Sequence, residues 1–199
     1  MKKRTAFVGA ILSLIPLGQP LIIKTGLVLS SSALMISLSD KSNAADNSFY
    51  FNRAFEKGEN GDHYGAISDY TKAIEIDPND STAYYNRGLA KHNLKDYYGA
   101  ISDYTKAIKL DPRNTDALDN RGLAKHNLED YYGAISDYTR VIEINPDDGF
   151  TYSNRGITKG IGFNDDEGAC DDFKKAASLG YQYRIDWLDT SEGKWCKDM

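Results

Sequence analysis

Proline, cysteine and histidine are scarce in this chain of 199 residues: five, two and three of each. So few cysteines and histidines leave little material for a structural zinc site. A basic excess is missing too. The 24 lysines and arginines are outnumbered by 29 aspartates and glutamates, a net charge of −5. Without a basic footprint for phosphates, nucleic acid is excluded as the main partner. No phosphate-binding loop, nucleophile–base pair or metal constellation occurs in the sequence, so no catalysis, cofactor or metal is expected. What the chain does have is 41% apolar and 27% charged residues, which suits a folded core and excludes wholesale disorder. Its length suits one ordinary domain, or one domain with a targeting segment. Tyrosine is abundant, at 14 residues.

Residues 1–45 do not read like the rest. Lys2, Lys3 and Arg4 are followed by an apolar run from Thr5 to Ile23, broken by Pro16 and Pro20, and by a second run from Gly26 to Leu38. Small residues at Ser42-Asn43-Ala44-Ala45 then offer a peptidase site. Basic, apolar and small-residue segments in that order make an export signal. The length of the segment leaves a second reading open, a retained membrane anchor, because the first run approaches the roughly 20 residues that span a bilayer. Either way residues 1–45 point to membrane association, with the remainder exported across or anchored in a bacterial membrane on its outer side.

A fixed period then takes over. Asn-Arg recurs at Asn52-Arg53, Asn86-Arg87, Asn120-Arg121 and Asn154-Arg155. The spacing is 34 residues, and Asn86–Thr105 repeats as Asn120–Thr139 except for Lys95 against Glu129. Pro78, Pro112 and Pro146 hold the same period, as expected if proline sits only at helix–helix junctions. Within a unit the apolar pattern predicts two amphipathic helices, about Thr82–Leu94 and Tyr97–Leu110 in the second, with Asp62, Asp96 and Asp130 as N-caps. No single pair buries its apolar stripe alone, so stacking of pairs makes the core.

The phases carry a motif: Tyr84, Gly88, Ala100, Tyr104, Ala107 and Pro112 in the second unit; Tyr50, Ala54, Ala66, Tyr70, Ala73 and Pro78 in the first; Leu118, Gly122, Ala134, Tyr138, Val141 and Pro146 in the third. A fourth has Tyr152, Gly156, Ala169, Phe173 and Ala176, with one extra residue near Phe163–Asp166 and Leu179-Gly180 in place of the proline. On these residues the chain resembles the tetratricopeptide repeat (TPR) family. The resemblance implies an all-α right-handed solenoid of four units, 47–80, 81–114, 115–148 and 149–183, followed by a capping helix over 184–199.

In that family the first helices of the pairs line a concave groove that binds protein or peptide segments. Carried over by register, the groove positions are Phe51, Asn52 and Phe55; Tyr85, Asn86, Leu89, His92 and Asn93; Asp119, Asn120, Leu123, His126 and Asn127; and Ser153, Asn154 and Ile157. The four asparagines at one phase form a ladder. Amides donate and accept at once and suit an extended backbone; the alternative is that they bond neighbouring helices. The Lys/Arg clamp by which some relatives hold the C-terminal carboxylate of heat-shock chaperones is missing.

Arginine stands where the family usually has leucine. Each has an aspartate sixteen or seventeen residues on: Arg53/Asp69, Arg87/Asp103, Arg121/Asp137 and Arg155/Asp172. A repeated structural ion pair is expected. His92 and His126 share one phase without a third ligand and are read as polar groove residues. Cys170 and Cys196 are either a disulfide stapling the cap to the last pair, as an oxidising compartment permits, or two separate buried thiols. The reading is a non-catalytic protein-interaction scaffold outside the cytoplasm, of open oligomeric state. A membrane-anchored assembly or maintenance factor is the alternative.

Overall fold

The computed structural model describes residues 21–22, 28–29, 46–190 and 193–198. The chain divides into two units, Met1–Asp46 and Asn47–Met199. In the first, Leu21–Ile22 (β1) pairs antiparallel with Val28–Leu29 (β2). The rest of the export-signal or anchor segment lies outside the described residues. Among the described residues no helix is long and apolar enough to cross a membrane.

The second unit is helical throughout: α1 over 46–59, α2 His63–Ile76, α3 Ser81–Asn93, α4 Tyr97–Leu110, α5 Thr115–Asn127, α6 Tyr131–Ile144, α7 Gly149–Phe163 and α8 Asp166–Ser178. Each boundary has a local cause. Aspartates 62, 96, 130 and 165 cap the second helices, their carboxylates accepting from the amides of Gly65, Gly99, Gly133 and Gly168. Glycine leaves room for that cap: a Cβ on Gly99 would stand 2.1 Å from an Asp96 carboxylate oxygen and push it aside. Asp80, Asn114 and Asp148 cap α3, α5 and α7. The second helices end in extended residues Asp77, Asp111 and Asn145, each followed by proline, which disfavours a helical conformation in the residue before it.

Inside a pair, Gly88, Gly122 and Gly156 let the helices meet on an aromatic ring. A Cβ on Gly88 would come within 2.7 Å of the Tyr104 ring. Tyr104 is fully buried, Tyr138 and Phe173 nearly so, and alanines 54, 66, 83, 100, 107, 117, 124 and 134 are buried between helices. Small residues thus set the close approach, and one ring per pair fills what remains. Each helix packs on the next in sequence, and the first helices also touch along the row, α3 on α5 and α5 on α7.

The fourth pair absorbs its extra residue inside a helix. Its first helix has 15 residues against 13 in α3 and α5, and its turn is one residue shorter, closed by Asn164 in the left-handed region. The expected single capping helix is two short ones, α9 Gln182–Leu188 and α10 Lys194–Asp198. The break comes after Leu188, where the Thr190 hydroxyl accepts from the Gly193 amide. Turning there brings Cys196 onto Cys170 of α8, with Cα atoms 5.4 Å apart and the sulfurs bonded.

Candidate functional site

The repeated arginines fork onto the repeated aspartates. Nε and Nη2 of Arg87 donate to Asp103 at 2.9 and 2.7 Å, and of Arg121 to Asp137 at 2.9 and 2.6 Å. Arg53 and Arg155 hold Asp69 and Asp172 in the same way. Two further members were not read from the sequence. Lys57, Lys91, Lys125 and Lys159, one turn after each arginine, bind the same carboxylates at 2.7–2.8 Å. The remaining Nη1 of Arg87, Arg121 and Arg155 reaches back to Thr71, Thr105 and Thr139 of the preceding pair at 3.0–3.2 Å. Both recur with the 34-residue period, and that was the signal available. The aspartates are at most 4% exposed. The Arg53 hydrogen bonds, with Lys57, outweigh burial and hold Asp69 down at about 2. This network binds helix to helix and pair to pair; it is scaffold, not chemistry.

The face made by the first helices holds the sequence-predicted groove positions. Asn52, Phe55, Asn93 and Asn127 are exposed, while Phe51, Tyr85, Asn86, Leu89, His92, Asp119, Asn120, Leu123, His126, Asn154 and Ile157 are half-buried and Ser153 buried. Phe51 packs edge-on against Tyr70, and Tyr85 lies against Tyr104. The asparagine ladder is partly engaged with the protein. Asn86 and Asn120 donate to the carbonyls of Thr82 and Asp116 one turn back. Asn120 also points its amide at the Tyr85 hydroxyl of the preceding pair, 3.4 Å away. The Nδ2 of Asn154 is buried with no partner among the described residues.

Two further contacts stitch α5 to α7 on this face. His126 Nδ1 lies 2.9 Å from the Thr158 hydroxyl, which donates to the Asn154 carbonyl. The hydroxyl proton being committed, the ring is assigned as the donor through Nδ1. Burial lowers the pKa of His92 and His126, consistent with neutral rings. Asp119 sits 3.0 Å from the Thr151 hydroxyl. Burial, with Asp148 and Asp116 nearby, pushes the carboxyl up to about 6 against the hydrogen bond from Thr151. Burial likewise raises Tyr85, helped by Asp116 and Asp119. Among the described residues no cluster could hold a metal ion.

Sequence models of the tetratricopeptide repeat match residues 81–114 and 115–148, and a TPR repeat model matches 59–95. No curated protein matches the chain in sequence. Among solved structures, the chain is similar to MamA, at 24% identity over 76% of this chain and 87% of that one, with a TM-score of 0.67. It is similar to the first TPR of Spaghetti (RPAP3) bound to the HSP90 peptide SRMEEVD: 26% identity, 59% and 95% coverage, TM-score 0.56. The second TPR domain of human RPAP3, in complex with the HSP70 peptide SGPTIEEVD, gives 25% identity, 59% and 98% coverage, TM-score 0.57.

Proposed function

This chain is a tetratricopeptide-repeat protein, its repeats matched over residues 59–148, and on that premise we propose that it is a non-catalytic scaffold that binds an extended segment of a partner protein along the face of its first helices. The observation that carries this is the row itself: Asn52, Asn86, Asn120 and Asn154 stand at one phase of the first helices α1, α3, α5 and α7. They share that face with apolar Phe55, Leu89, Leu123 and Ile157. Amides beside apolar side chains can serve a peptide's backbone and its side chains together. The RPAP3 domains, solved with peptides bound, support a peptide as the kind of partner.

The net charge of the repeat region favours a different peptide from theirs. Residues 45–199 carry 28 acidic against 19 basic side chains, and four of the lysines on the first helices are committed to buried aspartates. A neutral or basic segment fits better than an acidic tail. The scaffold works outside the cytoplasm in this reading, exported across or anchored in a bacterial membrane through residues 1–45. The Cys170–Cys196 bond supports an oxidising compartment.

Affinity capture with the full chain, set beside Asn86→Ala/Asn120→Ala, tests the groove. The Asn86 amide bonds within its own helix, Asn120 adds only a long contact to Tyr85 of the preceding pair, and alanine keeps the helix, so the variant folds. Partners held by wild type and lost by the variant are expected; an unchanged captured set contradicts the reading. N-terminal sequencing of the mature protein tests its placement. A start near Ala45 fits export, and an intact Met1 fits a membrane-anchored assembly factor.

A further inference from the structure

Compared at the 34-residue phase, the outer pairs depart from the inner two at a place on the binding face where the inner two agree. In the second and third pairs a histidine of the first helix meets a tyrosine that opens the second. His92 lies edge-on to Tyr97 with centroids 5.2 Å apart, and His126 to Tyr131 at 5.4 Å. The outer pairs lack this plug: the first has Gly58 and His63 at those phases, the last Gly160 and Asp166. A cleft opens at each. The first, of about 100 Å³, is floored by Ala66, Tyr70 and Ala90 and rimmed by Phe55 and Leu89. The Nδ1 of His63 is buried there with no partner among the described residues. The second, of about 240 Å³, lies between Ile157, Ile161 and Phe173 and is walled by Trp187 and Arg184 of α9. Both are on the scale of the roughly 150 Å³ apolar cavity that accepts a benzene ring.

We propose that these clefts are the two side-chain pockets of one binding groove, and that the occupant is an extended protein segment with a bulky apolar residue near each end and basic residues between. The proposal rests on the peptide-binding reading above and gives it a specificity. The apolar part of each lining, Phe55, Leu89 and Tyr70 at the first cleft and Ile157, Phe173 and Trp187 at the second, selects the end residues, since apolar surface leaving water is stabilised there. The stretch between the clefts selects the middle. It presents Asp116, Asp119 and Asp148, and Asp119 is desolvated there with acidic Asp148 and Asp116 as the charges acting on it among the described residues. A lysine or arginine of the partner would supply the missing charge. In the inner pairs the His92–Tyr97 and His126–Tyr131 contacts occupy the equivalent place, which in this proposal confines side-chain insertion to the ends.

The test uses the repeat's own chemistry. Gly58→His/Gly160→His puts into each outer pair the residue the inner pairs carry at that phase. An added Cβ meets Ala66 at 3.9 Å and Ala169 at 3.7 Å, ordinary contact, and both sites are helical, where glycine is the weaker residue. Gly58→Ala/Gly160→Ala is the control that changes the backbone and leaves the clefts open. The probe is a display library of random peptides of roughly 20 residues, at most about 70 Å when extended, panned on the full chain. Wild type and the alanine variant are expected to enrich peptides with two separated apolar residues flanking lysine or arginine. The histidine variant is expected to bind them at least about tenfold more weakly, a change of roughly 1.4 kcal/mol, with an unchanged or raised Tm. Enriched peptides that bind the histidine variant as tightly as wild type would overturn the pockets and leave the groove standing. A wild-type chain that enriches no peptide would overturn both.

Discussion

The guanidinium of Arg87 forks onto the carboxylate of Asp103 at 2.9 and 2.7 Å, and the same two-pronged pair recurs in all four helix pairs. Asp103 is 3% exposed. It also takes Lys91 at 2.7 Å, so one buried anion meets two cations. Arg87 extends the link to Thr71 of the pair before. A buried pair contributes little over a well-packed apolar replacement, but removing one partner leaves the rest uncompensated. Asp103→Ala is therefore expected to cost about 3–5 kcal/mol in urea unfolding. A loss below about 1 kcal/mol would show that the network is not buried as described.

The turn inside each pair holds a residue in the left-handed region. In the first pair it is Gly61; in the next two it is Lys95 and Glu129, with φ of 61° and 62°. Side chains bearing Cβ are strained there by roughly 1–2 kcal/mol, partly offset by glycine's greater freedom when unfolded. Lys95→Gly and Glu129→Gly are each expected to stabilise by about 1 kcal/mol, read as higher denaturation midpoints. Lower midpoints would refute the strain.

Asp119 should leave a signature in the pH dependence of stability. Burial raises its carboxyl to about 6 in the folded chain, against about 3.9 when unfolded. The folded state thus favours the protonated form, and stability falls as pH rises from about 4 to about 6, by on the order of 3 kcal/mol. Asp69, held at about 2, acts oppositely: its contribution is present above about 4 and is lost as pH falls toward 2. Asp119→Asn keeps an acceptor for Thr151 and removes the titration. Its stability relative to wild type should rise across pH 4–6; parallel curves would contradict the assignment.

The Cys170–Cys196 bond closes a loop of 26 residues around α9. Loop-closure entropy assigns such a crosslink roughly 3–4 kcal/mol. Cys196→Ser is expected to lower stability by that order and to speed amide exchange in α9 and α10 ahead of α2–α6. Uniform exchange along the array would show that the bond does not staple the cap.

The array was legible in the sequence because its features are periodic. The asparagine–arginine step, the proline phase, the aspartate caps and the Arg–Asp pairs each appear several times at one spacing, and each has a local physical cause. The cap reads as one amphipathic helix although Asp189-Thr190-Ser191-Glu192-Gly193 is a turn-forming cluster at the place where it divides; what spacing does not show is that the break carries Cys196 to Cys170. The lysine and threonine members of the ion network share the period, but each reaches the arginine or aspartate of another helix, which sequence spacing alone does not place. The clefts at Gly58 and Gly160 are departures from the repeat, and only the packing of His92 on Tyr97 shows what those glycines leave open.

Site-specific photo-crosslinking decides whether the first-helix face carries the partner. A photoreactive amino acid replaces Asn93 or Asn127, both exposed on that face, or Lys109, exposed on the second helix α4. Irradiation of the full chain in its own cells should give the same crosslinked protein from Asn93 and Asn127 and none from Lys109. Crosslinks from Lys109 alone, or equally from all three, would contradict binding in the groove.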